Sequence, residues 1–248
     1  MRIAIITDIH EDIITLKEAL RKIERFRCDE IVCLGDISGF SLPYYNYYPT
    51  RNAHECLSLI RAACSVVLLG NHDIHAAAII PEHCHFFDFP DNWYQLDYHQ
   101  RHQLGNETLW LHEENDLDPL YQRDDIEYLR SLPEYHVMQL PGRNILFTHY
   151  VYPNTSGLKK EFYTYGDEFD QHFNFMAELD CVVSFTGHVH IRGFSTANGR
   201  KFKQHRYKEL MLKSERICIG LPPITRLNNR SGFCIFDTDS DSIKVVKI

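Results

Sequence analysis

Three short apolar runs in the first third of the chain each stop abruptly on side chains of metal-binding type, and this repeated ending restricts the fold more than any other feature. Arg2 to Thr7 is a β-branched run that gives way to Asp8-Ile9-His10, Glu30 to Leu34 ends at Gly35-Asp36, and Ser65 to Leu69 ends at Gly70-Asn71-His72-Asp73. After the first run, Ile13, Leu16, Leu20 and Ile23 recur at helical spacing behind Asp12, which can cap that helix. After the second, a tyrosine-rich insertion leads to a helix presenting Ala53, Leu57 and Ile60, with Thr50 or Asn52 as its cap and Asn52 and Glu55 spaced as a capping box. Strand, loop and helix in repetition predict an α/β sheet, and ligands of such sheets gather outside the carboxyl ends of the strands.

Each ending has an ordinary explanation when taken alone. Asp8, Asp36 and Asp73 can be helix caps and Asn71 a turn residue. Three successive strand ends of the same kind are harder to explain that way. Asp8 and His10 share one side of an extended segment, Asp36 offers an oxygen able to bridge two cations, and Asn71 a neutral amide oxygen. Two further runs add to the set. Cys181 to Phe185 leads to Gly187-His188-Val189-His190, a spacing that lets two imidazoles reach a common centre, although isolated pairs of this kind are often surface or strand histidines. His136 to Leu140, the turn Pro141 to Asn144 and Ile145 to Thr148 form a hairpin signal with His149 at its exit.

The remaining segments fill in the architecture. Asp124 begins a short helix closed by Pro133, Asp167 to Leu179 reads as a helix, Asn198-Gly199 as a hairpin turn, and the segments near Leu210, Ile217, Phe233 and Val245 as antiparallel strands. Residues 81–120 carry aromatics without periodicity and read as a covering insertion, with His83, His85, His99, His102 and His112 assigned to structure or surface. With 248 residues and no linker or repeat, one domain over residues 1–248 is expected. No apolar run is long enough to cross a bilayer, and Asp8, His10, Glu11 and Asp12 cut the apolar N-terminus too short for a signal peptide. A cytoplasmic location is therefore expected. The eight cysteines contain no Cys-x-x-Cys and read as reduced core residues. A net charge of −8 argues against broad nucleic-acid binding, and the locally basic stretch Arg200 to Arg216, with Lys201, Lys203, Arg206, Lys208 and Lys213, reads as a solvated strand face.

The succession Asp8-Ile9-His10, Gly35-Asp36, Gly70-Asn71-His72-Asp73, His149 and Gly187-His188-Val189-His190 resembles the calcineurin-like metallophosphoesterase superfamily, in its small phosphodiesterase-like branch. The resemblance implies an α/β fold of four layers, αββα, with two mixed sheets face to face and helices outside both. It also implies two divalent transition-metal ions, one held by Asp8, His10 and His190, the other by Asn71, His149 and His188, with Asp36 bridging them. Nitrogen and oxygen donors without thiolate suit manganese, placed first, or iron, zinc or nickel. The implied activity is hydrolysis of a small phosphate ester by a metal-bridging hydroxide, with a phosphodiesterase placed ahead of a phosphomonoesterase or protein phosphatase. A non-catalytic binding scaffold on the same fold is the competing class.

His72 is expected as general acid, with Asp73 orienting it, and Asn71, His72 and Tyr150 as substrate contacts. The sequence departs from the family in lacking the arginine that its protein phosphatases carry after Gly-Asp. It also reads His149-Tyr150-Val151-Tyr152 where small bacterial members often have His-Gly-Ser-Pro. Tyr44, Tyr45, Tyr47, Tyr48 and Tyr150 are available to stack on a base or aryl group or to cover the core, and Arg226 to contact phosphate or sit as an ordinary surface arginine.

Overall fold

The computed structural model describes residues 1–105, 108–113, 115–199, 201–212 and 215–248. Arg200 and Lys213 of the basic stretch lie outside these; Lys201 and Lys203 are exposed, as a solvated strand face requires.

The first half of the chain runs β1 (Arg2–Ile6), α1 (Ile13–Glu24), β2 (Glu30–Cys33), β3 (Phe40–Ser41), α2 (Ala53–Ala63), β4 (Val66–Val67), α3 (Asn71–Ala76), α4 (Tyr98–Gly105), β5 (Asp116–Leu117) and α5 (Arg123–Arg130). The second half runs β6 (Tyr135–Leu140), β7 (Arg143–Thr148), α6 (Asp170–Glu178), β8 (Cys181–Thr186), β9 (Phe194–Asn198), β10 (Lys201–His205), β11 (Glu209–Met211), β12 (Ile217–Gly220), β13 (Gly232–Asp237) and β14 (Ser242–Lys247).

Two six-stranded sheets, ordered β11-β14-β13-β1-β2-β4 and β10-β9-β12-β8-β7-β6, form the frame. Strands β1, β2 and β4 are parallel, and so are β7, β8 and β12, while the flanking strands are antiparallel. Alternation along each strand decides which core a residue enters. Ile3 and Ile5 of β1 meet Phe147, Phe185 and Ile219 between the sheets, whereas Ala4 and Ile6 face Leu16 and Ile23 of α1 and Leu57 and Ile60 of α2. The outer face of the second sheet is covered more thinly, by α6 and the 3₁₀ turn Gly166–Phe169 before it, with Leu146 and Cys181 packed on Met176 and with Phe169 against Ala197 and Cys218.

Helix starts follow the local chemistry. Asp12 accepts from the Thr15 amide, and Asn52 from the Glu55 amide. The third strand is shorter than the apolar run around it, because Leu68 still pairs with Cys33 but the Leu69 amide turns to the Pro133 carbonyl. One expectation needs correcting. The run at Ile217 is parallel to β8 and antiparallel only to β9, since β12 enters beside β8 by a crossover and not by a hairpin. All eight cysteines are free thiols, five of them buried. Among the described residues no helix is long and apolar enough to cross a membrane.

The insertion at 81–120 builds its own apolar cluster of Trp93, Leu109 and Leu111 with Phe86, Phe87 and Phe89. It is fastened to the frame by β3–β5 pairing and by backbone bonds from Trp110 to Leu158 and from Lys160 to Thr108.

Candidate metal centre

Ile6, Cys33 and Val67 lie side by side in register, so β1, β2 and β4 end level with one another. The loops that follow carry Asp8 and His10, Asp36, and Asn71 at the start of α3. From the second sheet, β7 and β8 end in the same way and deliver His149 and His188. Backbone bonds fasten these loops together: the Asp8 amide donates to Gly35, the His10 amide to Asp36, and the Gly187 amide to His149. Gly187 allows the two sheets to meet, because a Cβ there would lie 2.0 Å from Thr7 Oγ1 and 2.7 Å from Asp8 Oδ2.

The side chains gather in two groups, Asp8 with His10 and His190, and Asp36 with His149 and His188, each with donor atoms within 4.8 Å of one another. His190 Nε2 is 3.3 Å from Asp8 Oδ1 and 2.9 Å from His10 Nε2. Asp36 Oδ2 stands between the groups, 3.3 Å from His149 Nε2 and 3.8 Å from His10 Nε2. His188 and His190 thus fall into different groups, and Asp36 faces both His10 and His149.

Two features prepare these donors for cations. His10 Nδ1 lies 2.8 Å from the Gly39 carbonyl and His149 Nδ1 3.0 Å from the Leu34 carbonyl. A carbonyl only accepts, so these nitrogens donate and each Nε2 is the nitrogen left to face the centre. Asp8, His10, Asp36, His188 and His190 also adopt positive φ, between 48° and 70°. That conformation costs a residue with a Cβ about 1–2 kcal/mol, and such strain collects where function over-determines the backbone.

Electrostatics points the same way. Burial opposes the charge on Asp8, but the His190 and His149 imidazoles outweigh it and hold the carboxyl at about 2. Burial likewise opposes Asp36, yet His149 and His72 hold it well below the ordinary range. The carboxylates act in return on His149, raised to about 9 by Asp36 and Asp8 against its burial. His10 and His188 are pushed down by burial, to about 4 and about 3, and rest as neutral donors. Two buried atoms, Asn71 Oδ1 and His149 Nε2, have no hydrogen-bond partner. A buried amide oxygen without a hydrogen bond, and an imidazole nitrogen facing the Asp36 carboxylate at 3.3 Å, fit divalent cations of the N/O-binding kind.

The sequence model of the calcineurin-like phosphoesterase superfamily domain matches residues 1–241. The chain belongs to that superfamily. A curated relative, the uncharacterized protein MJ0912 of Methanocaldococcus jannaschii, is 24% identical over 99% of this chain and 86% of its own length. Among solved structures, a metallophosphoesterase from Sphaerobacter thermophilus superposes with a TM-score of 0.67 at 20% identity, covering 100% of this chain and 88% of that one. The hypothetical protein PH1004 from Pyrococcus horikoshii OT3 gives 0.60 at 16% identity, covering 100% and 87%. Both share the fold of this phosphoesterase-family chain.

Around the centre, several expectations need refining. The His72 ring lies at its edge, 5.0 Å from the His10 ring, and its donor atom clusters with those of His10 and Asp36. Burial, followed by the His10, His190 and His112 imidazoles, pushes it well below its ordinary value against the pull of Asp36. Asp73 does not orient that ring. Its carboxylate accepts from the Ile37 and Ser38 amides, the Ser38 hydroxyl and the Gly70 amide, so it ties the Asp36 loop to the start of α3. Tyr150 is not an open substrate contact either: it is buried behind His188, rings 4.8 Å apart, with its hydroxyl accepting from the Tyr163 amide.

Tyr45 and Tyr47 pack with Phe40 in the core, while Tyr44 and Tyr48 are exposed. Arg226 donates to Asp12 and lies over the Tyr47 ring, which makes it part of the α1 cap. Sequence reasoning missed two rings. Trp110 packs on His72 at 4.2 Å, and the exposed Phe162 stacks on His188 at 5.4 Å. Both come from segments without periodicity, so no local pattern marked them.

Proposed function

We propose that this protein is a binuclear-metal-dependent phosphoesterase acting on a small phosphodiester. The observation that carries the reading is the pair of buried donor groups that meet at Asp36, together with the buried Asn71 Oδ1 that no hydrogen bond satisfies. Asp8, His10 and His190 would hold one ion and Asn71, His149 and His188 the other, with manganese the first choice. Two such ions supply Lewis acidity that activates water near neutral pH and offsets phosphoryl charge.

The chain's own groups then position the ester. His72 lies beside the centre without being needed as a ligand, placed to give a proton to the departing oxygen. The negative charge of a bound ester would raise its affinity for that proton. Trp110 beside His72 and Phe162 beside His188 provide apolar faces on two sides, which suits a phosphoryl group carrying two substituents. Arg51, Arg226 and Arg230 are engaged with Glu11, Asp12 and the His190 carbonyl, which disfavours recognition of the extra charge of a monoester.

The test uses protein stripped of metal and resupplied with Mn²⁺, assayed on nitrophenyl mono- and diesters. Metal-dependent turnover with the diester preferred is expected. Preference for the monoester would reverse the substrate assignment, and absence of turnover on either would favour a binding scaffold.

A further inference from the structure

His112 was expected among the structural or surface histidines of the insertion. In space it has specific partners. Its ring stacks on His75 of α3 with centroids 4.4 Å apart and planes 8° from parallel, and its Nε2 is 3.3 Å from Asp118 Oδ1. His75, His112 and Asp118 form a group whose donor atoms lie within 4.8 Å of one another, distinct from the donors of the main centre.

We propose that His75, His112 and Asp118 form a second, separate transition-metal site that clips the insertion onto α3. Two imidazoles and one carboxylate are a donor set for Zn²⁺, Ni²⁺ or Cu²⁺, with water completing the coordination. The carriers are anchored independently of any ion. His75 sits in a helix, and His112 follows Trp110, whose amide donates to the Leu158 carbonyl. Asp118 follows β5, and its carbonyl accepts from Arg51 at 2.7 Å. The backbone of all three carriers is therefore fixed, and the stacked rings need to turn only so that their in-plane lone pairs meet at one ion. The hollow beside His112 also presents Glu113 and Asp116, while Arg101 lines the hollow that His75 and His112 share. Burial holds His75 down at about 3, so its ring is neutral and a lone pair is available. Asp118 is 86% exposed, which leaves the site open for ion entry.

The position gives the clip a consequence. Trp110 contacts both His72 and His75, at 4.2 and 6.0 Å between ring centroids. An ion holding His112 to His75 would fix the wall against which His72 rests.

The test counts Zn²⁺ per chain by equilibrium dialysis and metal analysis in the wild type, His112→Gln and Asp118→Asn. Asp118→Asn alters an exposed side chain, so its fold is not at stake, and thermal melts of the metal-free proteins check the other variant. Each variant is expected to hold one ion fewer than the wild type, or to bind that ion more than about 10-fold more weakly. Zn²⁺ should also raise the melting temperature of the wild type more than that of either variant. Because the readout is a difference, it is independent of how many ions the main centre takes. Equal ion counts and equal Zn²⁺ shifts in all three proteins would overturn the proposal and leave His75 and His112 as a stacked pair.

Discussion

Gly157 offers the most discriminating perturbation of the main centre, because it touches two of the expected ligands while ligating nothing. It has φ +78°, and a Cβ built on it would lie 2.6 Å from His188 Nδ1, 2.7 Å from His188 Cε1 and 3.1 Å from His149 Cδ2. Ordinary contact between such atoms begins near ~3.5 Å, so in Gly157→Ala the His188 ring must retreat by roughly 0.8–0.9 Å. Misplacement of reacting groups by about 1 Å costs on the order of 100-fold in rate. A fall in kcat/KM of roughly 10- to 100-fold is therefore expected, with weaker binding of the ion assigned to Asn71, His149 and His188. The left-handed backbone adds about 1–2 kcal/mol of instability, which must be separated from the clash. Gly142→Ala serves as the control, since Gly142 has φ +82° and open space where its Cβ would go. The assay is Mn²⁺-dependent hydrolysis of bis-nitrophenyl phosphate, with metal content and melting temperature measured on both variants. If Gly157→Ala and Gly142→Ala lose equal stability and both retain wild-type kcat/KM and ion content, the packing of residue 157 against the ligand rings has no functional weight and the reasoning fails.

Three further outcomes follow from the same geometry. His72→Ala should cost ~10²- to 10⁴-fold on esters with poor leaving groups and much less on nitrophenyl esters; equal losses on both would remove it as proton donor. Asp36→Asn should lower occupancy by both ions at once in metal analysis, and an unchanged ion content would refute the bridging role. His172, fully buried with its ring nitrogens bonded to the Tyr152 amide and the Ser184 hydroxyl, is held by burial at about 3 against 6.5 ordinarily. The unfolded chain therefore binds a proton below 6.5 that the folded one refuses until about pH 3, so stability present above 6.5 is lost as pH falls through that window. By pH 5 the loss is about 2 kcal/mol, and in urea titrations the stability gap between wild type and His172→Gln should narrow by about that amount from pH 7.5 to pH 5; a constant gap would contradict it.

The sequence by itself determined where β1, β2, β4, β7 and β8 fall along the chain and the polar residues on which they stop. Both are local properties: β-branched runs extend, and Asp8, Asp36, Asn71, His149 and Gly187 to His190 are read where those runs end. The caps Asp12 and Asn52 were legible for the same reason, since a cap acts within one turn. Only the tertiary structure decided what depends on distant segments meeting. It turned Asp73 from a partner of His72 into a tie between two loops, because the Ser38 amide comes within its reach. It placed Tyr150 behind His188 and Phe162 on its open side, although both belong to the same unpatterned loop. It also brought Trp110 and His112 from the insertion onto α3. No periodicity encodes that placement, because the insertion docks through scattered apolar contacts and backbone bonds whose partners lie tens of residues away. The donors of the centre were therefore visible as residue types, while the wall around them depended on packing.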